Sequence, residues 1–216
     1  MDQKLLFLIN REWTSPALDW VMTLASAFDV WLFPILALIL LVVVFGRFTG
    51  RACLLTAVCI VGINDGLVSN PIKHLVDRPR PFQSHNDVRQ LALAKARPRI
   101  LAIGQPLKVK LSRSSLQDVE GRSFPSSHTI NMISVALVCA VFYRRFGWLA
   151  FGPALLVGYS RIYTGSHWPS DVITTIFLGL GSTLLLLVLA GWLWRKVGKR
   201  VLPDVFAQYP RLFESF

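Results

Sequence analysis

Charge is scarce in this chain of 216 residues. Asp, Glu, Lys and Arg together make up 16% of it, against roughly 25% in a typical soluble domain. With 53% hydrophobic residues, that scarcity excludes an ordinary soluble globule. Glycine shows no period, low-complexity tracts are lacking and only three cysteines occur, which excludes collagen-like, disordered and disulfide-stapled chains. Cys53, Cys59 and Cys139 lie inside apolar runs with no CxxC or His/Cys ligand spacing, as small buried side chains do. Acidic residues are the scarcest charges, 12 against 23 basic ones, for a net charge of +11. A surplus of that size implies anionic lipid, an anionic substrate or nucleic acid as a partner.

What is present in abundance is apolar run. Crossing hydrocarbon takes about 20 apolar residues in a helix. Residues 172–194 are uncharged throughout, and 30–46 reach spanning length if their helix begins upstream near Ala17 or Asp19. Residues 52–72 are apolar except for Asn64, Asp65 and Asn70, and 129–143 and 146–159 are shorter runs that lengthen into polar ends. The expectation is an all-α polytopic bundle of about five spans in one domain, 1–216. The N-terminal apolar run breaks at Asn10-Arg11-Glu12, too short for a signal-peptide core and without a cleavage site. Segment 1–16 is therefore expected to lie on the membrane surface, beginning with a short helix over residues 1–12.

Arg47 and Arg51, Arg144 and Arg145, and then Arg195, Lys196, Lys199 and Arg200 all fall on one side of a five-span topology with no acid among them. Basic short loops stay in the cytoplasm, so that side, with the 195–216 tail, reads as cytoplasmic. The other face carries the N-terminus, the link 161–170 and a long loop, 82–122. In that loop Asn86 is a candidate helix cap, for a helix running to about Ala96, and residues 107–111 alternate like a strand. The loop is basic, yet aromatics do not interleave its bases between Arg89 and Arg122, so nucleic acid is not the expected partner. Its surplus positive charge points instead to a second phosphate, a larger anionic headgroup or anionic lipid.

Three polar clusters interrupt the apolar pattern, all on that outer face. Ionisable groups at membrane depth are costly, so each is a functional candidate. The first runs from Lys73 to Arg80 and Pro81, the second from Ser123 through Pro125, Ser126 and Ser127 to His128, and the third from Ser160 and Arg161 through His167 to Asp171. Pro169 suits the first position of a helix, which puts Asp171 in its first turn with the carboxylate aimed back at His167. A carboxylate on Nδ1–H would leave Nε2 with a free lone pair, as a nucleophilic histidine requires. Ser126 precedes a helix whose first N–H groups would suit an anion. Lys73, Arg80 and Arg161 would repel a divalent metal and attract a group with several oxygens, and phosphate fits best.

Lys73-x6-Arg80-Pro81, Pro125-Ser126-Ser127-His128 and Ser160-Arg161-x5-His167-x3-Asp171 resemble, in order and across 73–171, the three signature motifs of the type 2 phosphatidic acid phosphatase superfamily of integral-membrane lipid phosphate phosphatases. Ser127 departs from the family's usual glycine. The resemblance implies that His167 attacks phosphorus and that Asp171 holds its ring. It implies that Lys73, Arg80, Arg161 and the N–H groups near Ser126 and Ser127 bind the oxygens, and that His128 protonates the leaving oxygen and then activates water. It also implies no metal or other cofactor, a lipid phosphate or diphosphate substrate with polyprenyl diphosphate as first choice, and a bacterial cytoplasmic membrane with the site facing the periplasm. A lipid A or glycerolipid phosphatase, a lipid phosphotransferase and a non-catalytic lipid-binding or transport protein are the alternatives.

Overall fold

The computed structural model describes residues 1–114 and 122–213. Helix dominates because only a helix or a closed barrel satisfies its own backbone groups in hydrocarbon. Three helical stretches are long and apolar enough to cross a membrane: Phe28–Phe45, Phe48–Ser84 and Pro169–Val201. Ser127–Phe142 is a shorter apolar helix, and Phe151–Tyr163 is shorter again.

The first crossing is α3 (Phe28–Phe45), preceded by α1 (Asp2–Phe7) and α2 (Pro16–Ser26). Only Val30 of α3 is buried, so this helix is apolar on every side and turned outward, as a lipid-facing helix is. The second begins as α4 (Phe48–Ile63), passes through one wide turn at Asn64–Ser69 and continues as α5 (Asn70–Val76). After a break comes α6 (Pro81–Ser84). Helix α7 (Ser127–Phe142) is the hub, packed against α4, α8 (Phe151–Tyr163) and α9 (Pro169–Leu193). Small residues let these helices approach: a Cβ at Gly179 would sit 3.3 Å from Ile130 and Ile133. Mid-bundle, Asn64 Nδ2 donates to Ser134 Oγ at 2.8 Å and to Thr183 Oγ1 at 3.1 Å, which joins α4, α7 and α9 in their shared core. Beyond α9 the chain turns back through α10 (Lys199–Val201) and α11 (Pro203–Gln208), and Phe213 packs on Phe142.

Two expectations for the ends of this frame change. Segment 1–16 does not merely rest on a membrane surface: Leu6, Ile9 and Asn10 are buried in the protein, and Asn10 Nδ2 donates to the carbonyls of Tyr163 at 2.6 Å and Arg89 at 2.9 Å. The helix expected after Asn86 is a strand, β1 (Arg89–Ala92), paired antiparallel with β2 (Lys108–Leu111). Asn86 is used differently, its side-chain oxygen accepting from Ser114 N at 2.6 Å. Tertiary docking outweighs the helix-forming Leu-Ala run because Leu91 and Leu93 each pack into a buried cluster. The strand expected at 107–111 is β2.

Candidate active site

The site forms where α5, α7 and the α8–α9 link meet at one end of the bundle. Pro169 occupies the first turn of α9 as expected, which leaves His167 just outside the helix and Asp171 inside it. Gly165 sets the link's path with φ of 69°, and a Cβ there would come within 2.5 Å of Val88 and 2.8 Å of the Arg89 carbonyl. Only glycine combines that conformation with so close a backbone.

His167 is buried, and its Nδ1 lies 2.6 Å from the carbonyl oxygen of Ser123. A carbonyl can only accept, so Nδ1 carries the proton and Nε2 keeps its lone pair. This corrects the expected geometry, because the tautomer is fixed by a backbone carbonyl and not by Asp171 directly. The carboxylate stands behind that carbonyl's residue. Asp171 Oδ2 accepts from Ser123 Oγ at 2.5 Å and from Trp168 N at 3.3 Å, while Oδ1 accepts from Arg78 Nη1 at 2.5 Å. Asp171 thus holds Ser123, and Ser123 holds the imidazole.

Arg78 extends this chain outward. Its Nη1 also donates to Ser170 Oγ at 2.9 Å, and its Nη2 donates to Asp2 Oδ2 at 2.7 Å. Asp2 in turn accepts from Ser170 N at 3.0 Å and Ser170 Oγ at 2.6 Å. Burial alone would raise the Asp2 pKa, but the bonds from Ser170 and the charge of Arg78 hold it below the ordinary carboxylate range. Sequence reasoning gave Arg78 and Ser123 no role although both stand inside the motif clusters, and it missed Asp2 entirely.

Lys73, Arg80 and Arg161 are brought to the same place. Lys73 Nζ donates to Ser127 Oγ. Arg161 Nη1 donates to Ser26 Oγ, while its Nε is buried without a hydrogen-bond partner. The charges of Arg161, Arg80 and Lys73 all reach half-buried His128. Burial first, and then the charges of Arg161 and Arg80, push the pKa of His167 well below the ordinary histidine value. Among the described residues the ion pairs engage Arg78, Arg89 and Arg99, and none engages Lys73, Arg80 or Arg161. Three clustered, partly buried cations with no ion-pair partner among the described residues are an arrangement suited to an anion.

The serines at the start of α7 divide their roles. Ser127 keeps its hydroxyl at Lys73, beside the anion site. Ser126 is fully buried and its N–H donates to Thr175 Oγ1 at 3.1 Å, while that hydroxyl donates to the Asp171 carbonyl at 2.5 Å. The Ser126 amide is therefore committed to fastening α7 to α9, contrary to the expectation that it faces phosphate. Asp65, one of the polar interruptions of the 52–72 run, has a buried Oδ1 with no hydrogen-bond partner among the described residues. Its charge reaches both Lys73 and His128.

Fold and site together define a class: a helical membrane protein with three clustered cations and a buried, oriented imidazole at one end of its bundle. The chain belongs to the PAP2 superfamily, whose sequence model matches residues 50–195. It is 37% identical over 91 residues to the bacitracin transport permease protein BcrC of Bacillus licheniformis, covering 38% of this chain and 45% of that protein. It is 34% identical over 58 residues to undecaprenyl-diphosphatase BcrC of Bacillus subtilis, covering 27% and 30%. The chain thus spans less than half the length of either relative. The crystal structure of Aquifex aeolicus LpxE shares the fold, with a TM-score of 0.59 at 23% identity over 86% of this chain and 94% of that one.

Proposed function

We propose that the protein hydrolyses a lipid phosphate or diphosphate by way of a phosphohistidine on His167. The observation that carries this reading is the buried imidazole with its proton held on Nδ1, set near Arg80 and Arg161, neither of which forms an ion pair among the described residues. Nε2 attacks phosphorus in line as the bond to the leaving oxygen breaks. Lys73, Arg80, Arg161 and Ser127 bind the remaining oxygens, where charge develops. His128 gives its proton to the leaving oxygen, then takes one from the water that releases phosphate. Those cations disfavour a metal, so the chemistry is assigned to the side chains alone.

Polyprenyl diphosphate is the first substrate choice, supported by the site's position at the end of lipid-facing helices and by the name of the Bacillus subtilis relative. The site face is assigned to the periplasmic side of a bacterial cytoplasmic membrane, because Arg47, Arg51, Arg144, Arg145 and the 195–200 bases crowd the other end. The test is phosphate release by the purified protein from a panel of prenyl diphosphates, lipid A and phosphatidic acid, with chelator present. Prenyl diphosphate as the best substrate supports the full reading. Preference for another lipid phosphate keeps the reaction and changes the substrate. Binding without release rejects the enzyme, and phosphate delivered to a second lipid makes it a transferase.

A further inference from the structure

The segment between β1 and β2 carries a surface that the proposed reaction does not use. Arg99–Gly104 forms one 3-10 helix, and its Ala102 is buried with Val30 and Leu93 in a small cluster joined by Trp20 and Leu24. Arg99 Nε donates to Asp29 in the first turn of α3. The segment is therefore pinned to the end of α3, a helix of spanning length of which only Val30 is buried. That end lies at the level of the site, because Arg161 bonds to Ser26 just before it. Where α3 enters the bilayer, this segment must lie in the interface.

Its outward side suits that position. Ile100, Leu101 and Ile103 are 45%, 58% and 40% exposed although their neighbour Ala102 is fully buried. Water gives no reason for three large aliphatic side chains to project together. Around them Lys95, Arg97, Lys108 and Lys110 are exposed, and none forms an ion pair among the described residues. Arg89 and Arg99, which are partly buried, are both paired with carboxylates, Asp19 and Asp29. The division between paired, partly buried bases and unpaired, exposed ones argues against a merely solvated loop, because a solvated loop has no need to present apolar side chains between its charges.

We propose that this segment is a membrane-contact element: Ile100, Leu101 and Ile103 enter the leaflet on the site side of the bilayer, and Lys95, Arg97, Lys108 and Lys110 bind anionic phospholipid headgroups around them. Charge complementarity and continuity with the lipid-exposed α3 name the occupant as lipid. The proposal does not depend on the reaction, because its first readout is depth in the membrane.

The test places a spin label at position 101 (Leu101→Cys in a chain with Cys53, Cys59 and Cys139 changed to Ala) in nanodiscs of neutral lipid or of a neutral and anionic phosphatidylglycerol mixture. Oxygen, which partitions into lipid, should relax the label at least threefold more effectively than a water-soluble nickel chelate, and the ratio should rise with phosphatidylglycerol. Joint replacement of Lys95, Arg97, Lys108 and Lys110 by Gln should remove the dependence on anionic lipid while leaving the label in the interface. If the cysteine-free chain does not fold, an environment-sensitive fluorescent amino acid at position 101 of the native chain gives the same readout. A label equally open to the aqueous chelate in both nanodiscs overturns the proposal. So does a label shielded only when two copies share a disc, which would make the surface a dimer contact.

Discussion

The two ends of the bundle are both basic, and they use their charge in opposite ways. At the far end Arg47, Arg51, Arg144, Arg145, Arg195, Lys196, Lys199 and Arg200 are all exposed. Among the contacts they make, Arg51 Nη2 donates to the Val44 carbonyl at 3.3 Å and Lys196 Nζ lies 5.4 Å from the centre of the Trp192 ring. At the site end Lys73, Arg78, Arg80 and Arg161 are partly buried. Each extra cation there raises the cost of the others, a cost that folding alone would not sustain. In the proposed reading, positive charge that solvent can screen sets orientation in the membrane, and positive charge withdrawn from solvent prepares a place for an anion.

The sharpest break in this comparison is His167→Ala, expected to lower phosphate release at least about a thousandfold because the nucleophile is gone; full activity in the purified variant would end the proposed mechanism. Next comes Arg78→Ala, which leaves Asp171 and Asp2 each with one fewer donor. We expect kcat to fall about ten- to a hundredfold with little change in KM, together with a lower melting temperature, and added guanidinium to restore part of the rate. Failure of guanidinium to act would make Arg78 a structural tie only.

Smaller effects sharpen the contrast further. Since the pKa of His167 is lowered, its neutral form persists in acid, and the acidic limb of kcat/KM should lie below the ordinary histidine value. Arg80→Gln removes one of the depressing charges and should move that limb toward higher pH, which a pH–rate profile would detect. Asn64→Ala lies between the two ends and should cost about 1 kcal/mol of stability by removing two interhelical hydrogen bonds, with turnover per folded molecule unchanged. Least of all, joint replacement of Arg195, Lys196, Lys199 and Arg200 by Gln should leave turnover within about twofold. A large loss there would mean that the far end is more than an orientation signal.

The sequence makes the cluster of Lys73, Arg80, Arg161, His128 and His167 legible because such residues contradict their apolar surroundings. Arg78 stays hidden for the opposite reason: beside Arg80 it reads as one more juxtamembrane base, and only the fold shows one arginine turned toward Asp171 and the other left unpaired. Ser123 acts largely through its backbone carbonyl, which leaves no trace in residue type. The α9 start was legible from Pro169, a local signal. The N-terminal docking was not, because Asn10 finds its partners at Arg89 and Tyr163. The β1 error has the same origin, since Leu91 and Leu93 respond to clusters formed by distant elements.

The tie between Asp2 and Ser170 joins positions 168 apart in the chain. Residue 2 leaves the ribosome long before residue 170 exists, so this bond cannot form until the third cluster has been synthesised and α9 has begun to insert. Contacts so distant in sequence close late, after the local helices and hairpins have formed. The support behind Asp171 is therefore among the last pieces to be fitted during biogenesis. A chain arrested after α8 has Lys73, Arg80 and His128 in place but neither His167 nor Asp171.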